Sequence, residues 1–222
     1  MTAWNEEPIP VASRHMRLID ALARGLVPVR QVSSPLQRML DWLRIIFLPG
    51  AGLVLVAHLK GALGRHAVEP EFVLAAIGSV ATAVTAAAAA ILAMFPDRDP
   101  RWALLPVPSL TLWIGASLSG ASAKHGAPMS LSDACTCVGF ILGLGVPFAL
   151  LLATNLKGGY ALYPSLSGGL AGLAAASAAA SILGLFHPFA TTLNDLALHA
   201  LAIALLSGAG ARLGRPFLGG RM

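Results

Sequence analysis

The chain has 222 residues, of which 56% are hydrophobic and only 11% are charged, and its mean hydropathy is +0.75. Soluble domains carry roughly 25% charged residues, so this composition excludes a water-soluble enzyme, a disordered tail and a small disulfide-stapled secreted domain. The isoelectric point near 9.9 comes from basic residues that flank apolar blocks, where topology and anionic lipid explain them better than nucleic acid does. The sequence therefore predicts a multi-span membrane protein.

Six segments are apolar enough to cross the roughly 30 Å hydrocarbon core of a bilayer, which takes about 20 residues as a helix. We predict an all-α polytopic fold, a six-helix transmembrane bundle with a short cytoplasmic N-terminal helical segment. The first span continues a helix that Ser34 and Pro35 begin as N-cap and first residue. The spans are expected at 42–63, 72–95, 102–123, 134–156, 160–186 and 193–213, between a cytoplasmic segment 1–41 and a cytoplasmic tail 214–222.

The orientation follows from the distribution of basic residues. Twelve of the 15 Lys and Arg residues lie in the leading segment, in the second and fourth connections, or at the end of the chain. Cytoplasmic connections carry the excess of basic residues, so both termini are expected in the cytoplasm. The first residues lack a basic stretch before an apolar core, and we expect no cleaved signal peptide.

The leading segment contains a short amphipathic helix, expected over residues 14–24 with Ser13 as its N-cap. Leu18, Ile19 and Leu22 fall on one face, and the arginines lie elsewhere. A helix of this length is too short to be stable alone in water, so its apolar face must be covered. Two alternatives stay open: the face lies on the bilayer surface, or it docks into a groove of a partner protein.

The segments Leu18–Ala23 and Pro28–Arg30, and the run Cys137–Pro147 at the start of the fourth span, resemble the NrsF-type membrane anti-sigma factors. The six-span layout and the chain length match that family too. The resemblance implies a non-enzymatic regulator in the bacterial inner membrane, which responds to an envelope, oxidative or metal signal. Its N-terminal segment would bind an extracytoplasmic-function (ECF) sigma factor and hold it away from RNA polymerase. The positions implied to contact the sigma factor are Leu18, Ile19, Leu22, Pro28 and Val29.

The outer membrane face gathers both cysteines and several histidines of the chain. The family pattern has one cysteine at the start of span four, which Cys137 matches. A second precedes a proline after span five, where this chain has His187 instead. This departure argues against a disulfide between the two loops. Four alternatives remain: a mixed Cys137/His187 metal site, Cys135 as the second thiol, a disulfide between Cys135 and Cys137 that helix geometry disfavours, or two cysteines that only fill a buried helix end.

Other functions have weaker support. His199 on span six, with Ser117 and Ser119 on span three, invites an intramembrane serine protease, although such a serine is expected on span four. A small channel or transporter is the other alternative, disfavoured because no span carries a central charge. No phosphate-binding loop, paired carboxylates or DNA-reading module appears. We therefore predict no catalytic residue, no cofactor and no direct nucleic-acid binding, with a metal only as a signal.

Small residues predict how the fifth span packs. Gly168 and Gly172 are spaced to lie on one face of the helix, which lets a neighbouring backbone approach closely. The sequence leaves open whether this face pairs within one chain or between two, and therefore leaves the oligomeric state open. A pore lined by Ser and Gly is the less favoured alternative.

Overall fold

The computed structural model describes residues 11–26, 33–60, 69–123, 131–157, 162–186 and 192–219. Every regular element in these ranges is helical, which confirms the all-α prediction. Six helical segments among them are long and apolar enough to cross a membrane, as the sequence predicts. The helices are α1 (Val11–Arg24), α2 (Pro35–Leu59), α3 (Pro70–Leu92), a 3₁₀ helix (Pro100–Leu104), α4 (Val107–Ala123), α5 (Leu131–Leu156), α6 (Pro164–Phe186) and α7 (Leu193–Leu218).

Helix α1 belongs to a compact unit of its own, which ends at Val32. The helix begins at Val11, so Ser13 lies inside its first turn and does not cap a helix that starts at residue 14. The helix ends directly before Gly25.

Helix α2 begins well ahead of the expected span start at residue 42. Ser34 caps it as predicted, because its Oγ accepts a hydrogen bond from the N–H of Gln37 at 3.3 Å and Pro35 occupies the first turn. The helix then continues through Pro49. One helix therefore joins the end of the leading segment to the first span without a break.

Three other helix ends differ from the expected span bounds. Pro106 and Pro108 cannot donate helical hydrogen bonds, so the third span starts as the 3₁₀ helix and α4 begins only at Val107. Helix α6 begins at Pro164, a residue that fits the first turn, and not at the expected residue 160. Helix α7 extends beyond residue 213 to Leu218, which takes much of the expected tail into the helix.

Helix α6 is the most buried of the membrane-length helices. It packs against α3, α5 and α7, and more lightly against α2. Its buried residues are mostly Ala, Gly and Ser, which allow neighbouring backbones to come close. A hydrogen bond from Ser181 Oγ to Ser79 Oγ, at 2.8 Å, also links α6 to α3. The bundle is therefore organised around a central helix of small residues.

Helices α6 and α7 cross with their backbones in direct contact. A Cβ added to Gly172 would lie 2.5 Å from the carbonyl oxygen of Leu206 and 2.8 Å from Cα of Ser207. A Cβ on Gly168 would collide with the carbonyl oxygen of Gly210. The small-residue face predicted on the fifth span therefore packs within the chain, against α7.

Polar contacts attach the start of α2 to α5. Arg38 Nη1 donates to the carbonyl oxygen of Asn155 at 2.6 Å, and Asn155 Nδ2 donates to the carbonyl oxygen of Arg38 at 2.6 Å. Asn155 stands in the last turn of α5, where carbonyl groups lack intrahelical donors, so the guanidinium satisfies one of them. Trp42 Nε1 donates to the carbonyl oxygen of Phe148 at 3.3 Å, one turn further along α2. These contacts hold α2 against the C-terminal half of α5.

The α6–α7 crossing predicts a large effect of a single methyl group. Gly168→Ala should destabilise the bundle by about 1–3 kcal/mol, because the new Cβ forces two packed backbones apart. Gly143→Ala in α5 is the matched control, since its Cβ would meet nothing within 4 Å. That variant should be neutral or more stable by up to about 1 kcal/mol. Denaturant titration of the detergent-solubilised protein, followed by circular dichroism, measures both, and equal stability of the two variants would contradict the crossing.

Candidate functional site

An exposed apolar face is the main feature of α1. The side chains of Leu18, Ile19 and Leu22 are 58%, 57% and 63% exposed, and Met16 beside them is 60% exposed. Leu18 and Leu22 are one helical turn apart, and Ile19 lies next to both on the same face. Burying such side chains contributes about 1.5–3 kcal/mol each. Covering this apolar face would therefore be favourable.

The opposite face of α1 is polar and carries Arg17, Asp20 and Arg24, all of them exposed. The two faces give the helix one side that favours an apolar environment and one that favours water. Pro28 and Val29, which the resemblance adds to this surface, lie outside the described residues.

A second candidate site lies where α5 and α7 begin, at one end of the bundle. Cys137 Sγ, a carboxylate oxygen of Asp195 and a ring nitrogen of His199 all lie within 4.8 Å of one another. Cys137 and Asp195 are buried, and the His199 side chain is only 14% exposed. We call these three residues the Cys137 cluster.

The start of α7 positions two members of the cluster. Thr192 is the N-cap, and its Oγ1 accepts a hydrogen bond from the N–H of Asp195 at 3.3 Å. Asp195 therefore stands in the first helical turn and is buried. A carboxylate is favourable there because the first turn presents unpaired N–H groups and the positive end of the helix dipole.

His199 follows Asp195 by one helical turn. Its Nδ1 lies 2.8 Å from the main-chain oxygen of Asp195 and 3.3 Å from Oδ1 of the same residue. A carbonyl oxygen can only accept, so this hydrogen bond requires the proton to be on Nδ1. Nε2 of the neutral ring then keeps its lone pair.

The structure separates the residues predicted to sense a signal. Cys137 is buried in the cluster, whereas Cys135 is exposed on the same helix and neither forms a disulfide. His187 lies outside the described residues. The structure joins Cys137 to Asp195 and His199, a pair whose spacing of four residues is a signal that the sequence already carried.

This arrangement predicts unequal reactivity of the two thiols. In the reduced, purified protein, Cys137→Ser leaves Cys135, which should react with N-ethylmaleimide about tenfold faster than the thiol left in Cys135→Ser, because burial restricts access to Cys137. Mass spectrometry over time gives the two rates. Equal rates would show that Cys137 is not shielded as described.

Comparison with known families identifies one match. Residues 22–219 match the family model described as NrsF, negative regulator of sigma F. No curated protein and no solved structure matches the chain. The matched range contains the six membrane-length segments and the Cys137 cluster, and it begins within α1, so Leu18 and Ile19 precede it. Because the match covers most of the 222 residues, the chain belongs to the NrsF family of negative regulators of a sigma factor.

Proposed function

We propose that the protein is a membrane-bound anti-sigma factor that sequesters an ECF sigma factor through α1. Pro28 and Val29 extend the binding segment beyond the helix. In this proposal, the protein lies in the bacterial inner membrane, has both termini in the cytoplasm and catalyses no reaction. An envelope, oxidative or metal signal received at the outer membrane face releases the sigma factor.

The observation that carries this proposal is the exposed apolar face of α1 in a chain whose family regulates a sigma factor. The remaining α-helices of the described residues belong to the membrane-length set, and the connections between them are short in sequence. Helix α1 thus offers a protein partner three apolar anchors. An amphipathic helix that lays its apolar face into a groove is a common recognition mode.

The charge distribution supports the orientation. Sigma factors act on RNA polymerase in the cytoplasm, so α1 must be there to bind one. Arg17 and Arg24 lie on α1, and Arg212 and Arg215 lie near the end of α7. A chain that crosses the bilayer with all six of these helices has both ends on one side, and the basic excess supports the cytoplasm as that side.

Release requires the signal to change the affinity of α1 for its partner. Moving a two-state equilibrium from 1:99 to 99:1 takes about 5.5 kcal/mol of differential binding. Helix α5 is suited to carry such a change, because Cys137 lies near its first turn and Asn155 in its last. Asn155 bonds to Arg38 of α2, and α2 follows the α1 segment in the chain. We propose that movement of α5 at the outer face shifts α2 at the inner face.

The first test removes the apolar anchors without removing the helix. Replacing Leu18, Ile19 and Leu22 together by alanine preserves charge and favours helix formation. The variant should bind the cognate ECF sigma factor about 100-fold or more weakly, because interface anchors of this kind contribute about 1–2 kcal/mol each. Affinity is measured by titrating the sigma factor onto the full-length protein in nanodiscs.

The matched control places three alanines on the polar face, at Arg17, Asp20 and Arg24. Its affinity should stay within about tenfold of the parent, since exposed charges at an interface rim contribute little. Equal weakening by the two triple variants would contradict docking through the apolar face. Unchanged binding of the first variant would exclude these anchors and leave the bilayer surface as the place where α1 lies.

A further inference from the structure

We propose that Cys137, Asp195 and His199 bind a divalent cation of the zinc class, such as Zn²⁺ or Cd²⁺. The site would join α5 to α7 at the end of the bundle where both helices begin. Metal binding as such depends only on the cluster, whereas its use as the release signal rests on the proposed function.

The distances fit a metal with modest adjustment. In tetrahedral zinc sites the metal lies about 2.3 Å from sulfur and about 2.0–2.2 Å from nitrogen or oxygen, which puts ligand atoms roughly 3.3–3.8 Å apart. The three ligand atoms here already lie within 4.8 Å of one another. The remaining difference is of the size that a change in side-chain rotamer spans.

The hydrogen bond of His199 prepares it to coordinate. In the neutral tautomer that donates from Nδ1 to the main-chain oxygen of Asp195, 2.8 Å away, Nε2 has the lone pair that a metal needs. Metal-binding histidines commonly donate their other N–H to a carbonyl or carboxylate, which fixes the tautomer and the ring orientation. The helical spacing of Asp195 and His199 supplies that bond within one element.

The donor set and its burial favour a borderline or soft cation. A thiolate, a carboxylate and an imidazole are ligands that Zn²⁺ accepts together, and thiolate favours it over Mg²⁺ or Ca²⁺. Cys137 is 7% exposed and Asp195 2% exposed, so water solvates their charges poorly. On binding, the Cys137 thiol releases its proton, and the two negative ligands balance the double positive charge of the ion.

Three protein ligands leave the fourth position of a tetrahedral site open. Closed sites with four protein ligands are structural, whereas sites with an open position hold an exchangeable water. A metal held by Cys137 from α5 and by two residues of α7 would also fix the two helix starts together. The site is therefore suited to reversible occupancy that ties the start of α5 to the start of α7.

Co²⁺ is the probe for this site, because thiolate coordination gives it a charge-transfer absorption band. The full-length protein in nanodiscs, kept reduced with a phosphine, should bind one Co²⁺ per chain with that band, and Zn²⁺ should displace it. Cys137→Ser should abolish the band. The matched control Cys135→Ser should retain it, because Cys135 is exposed two residues away. Asp195→Asn and His199→Gln should each weaken binding by about tenfold or more.

A variant that replaces His199 by another metal ligand distinguishes the loss of a ligand from misfolding. His199→Cys should still bind Co²⁺, with a stronger thiolate band, whereas His199→Gln should not bind at the same concentration. No binding by the parent protein, a band that survives Cys137→Ser, or a band lost in Cys135→Ser would each overturn the site.

Binding of the sigma factor is measured on the same metal-free samples. A chain that binds the sigma factor but no Co²⁺ refutes only the metal site, and one that binds Co²⁺ but no sigma factor refutes the proposed function.

Discussion

Contact between the backbones of α6 and α7 at Gly168 and Gly172 is the constraint on which the rest of the bundle depends. Lipid chains are as apolar as leucine side chains, so helices in a membrane associate by close packing more than by burial of apolar surface. Glycine makes that packing possible here because any Cβ at these positions would overlap the facing backbone. With α7 fixed on the central helix and α5 packed against both, the starts of α5 and α7 come together and form the Cys137 cluster.

The apolar side chains on the surface of the bundle and those of α1 are covered in different ways. The membrane-length helices have lipid to cover their outer faces, and many of their large apolar side chains are exposed in the structure for that reason. Helix α1 has arginines around an apolar face and is too short to be stable by itself in water. Its stability must come from whatever covers that face. For a member of a family of sigma-factor regulators, we propose that the sigma factor covers this face.

Local sequence patterns predicted the parts of the structure that depend on local physics. The apolar runs gave the six membrane-length helices, Ser34 and Pro35 gave the start of α2, and the spacing of Gly168 and Gly172 gave a packing face. The neighbours of each helix were not predictable in this way, because apolar residues specify a span but not what packs beside it. The bond between Arg38 and Asn155 and the approach of Cys137 to α7 are examples. The spacing of four residues between Asp195 and His199 predicts that they lie one helical turn apart, but it does not predict that Cys137 lies beside them.

The central claim is that the apolar face of α1 holds a sigma factor inside the cell. A photoactivatable diazirine amino acid placed at Ile19, and in a separate strain at Arg17 on the opposite face, tests this claim in living cells. Mass spectrometry of the crosslinked products identifies what each face touches. The account predicts an ECF sigma factor crosslinked from Ile19 and little or none from Arg17. Crosslinks from Ile19 to lipid alone, or to proteins of the outer side of the membrane, would contradict it.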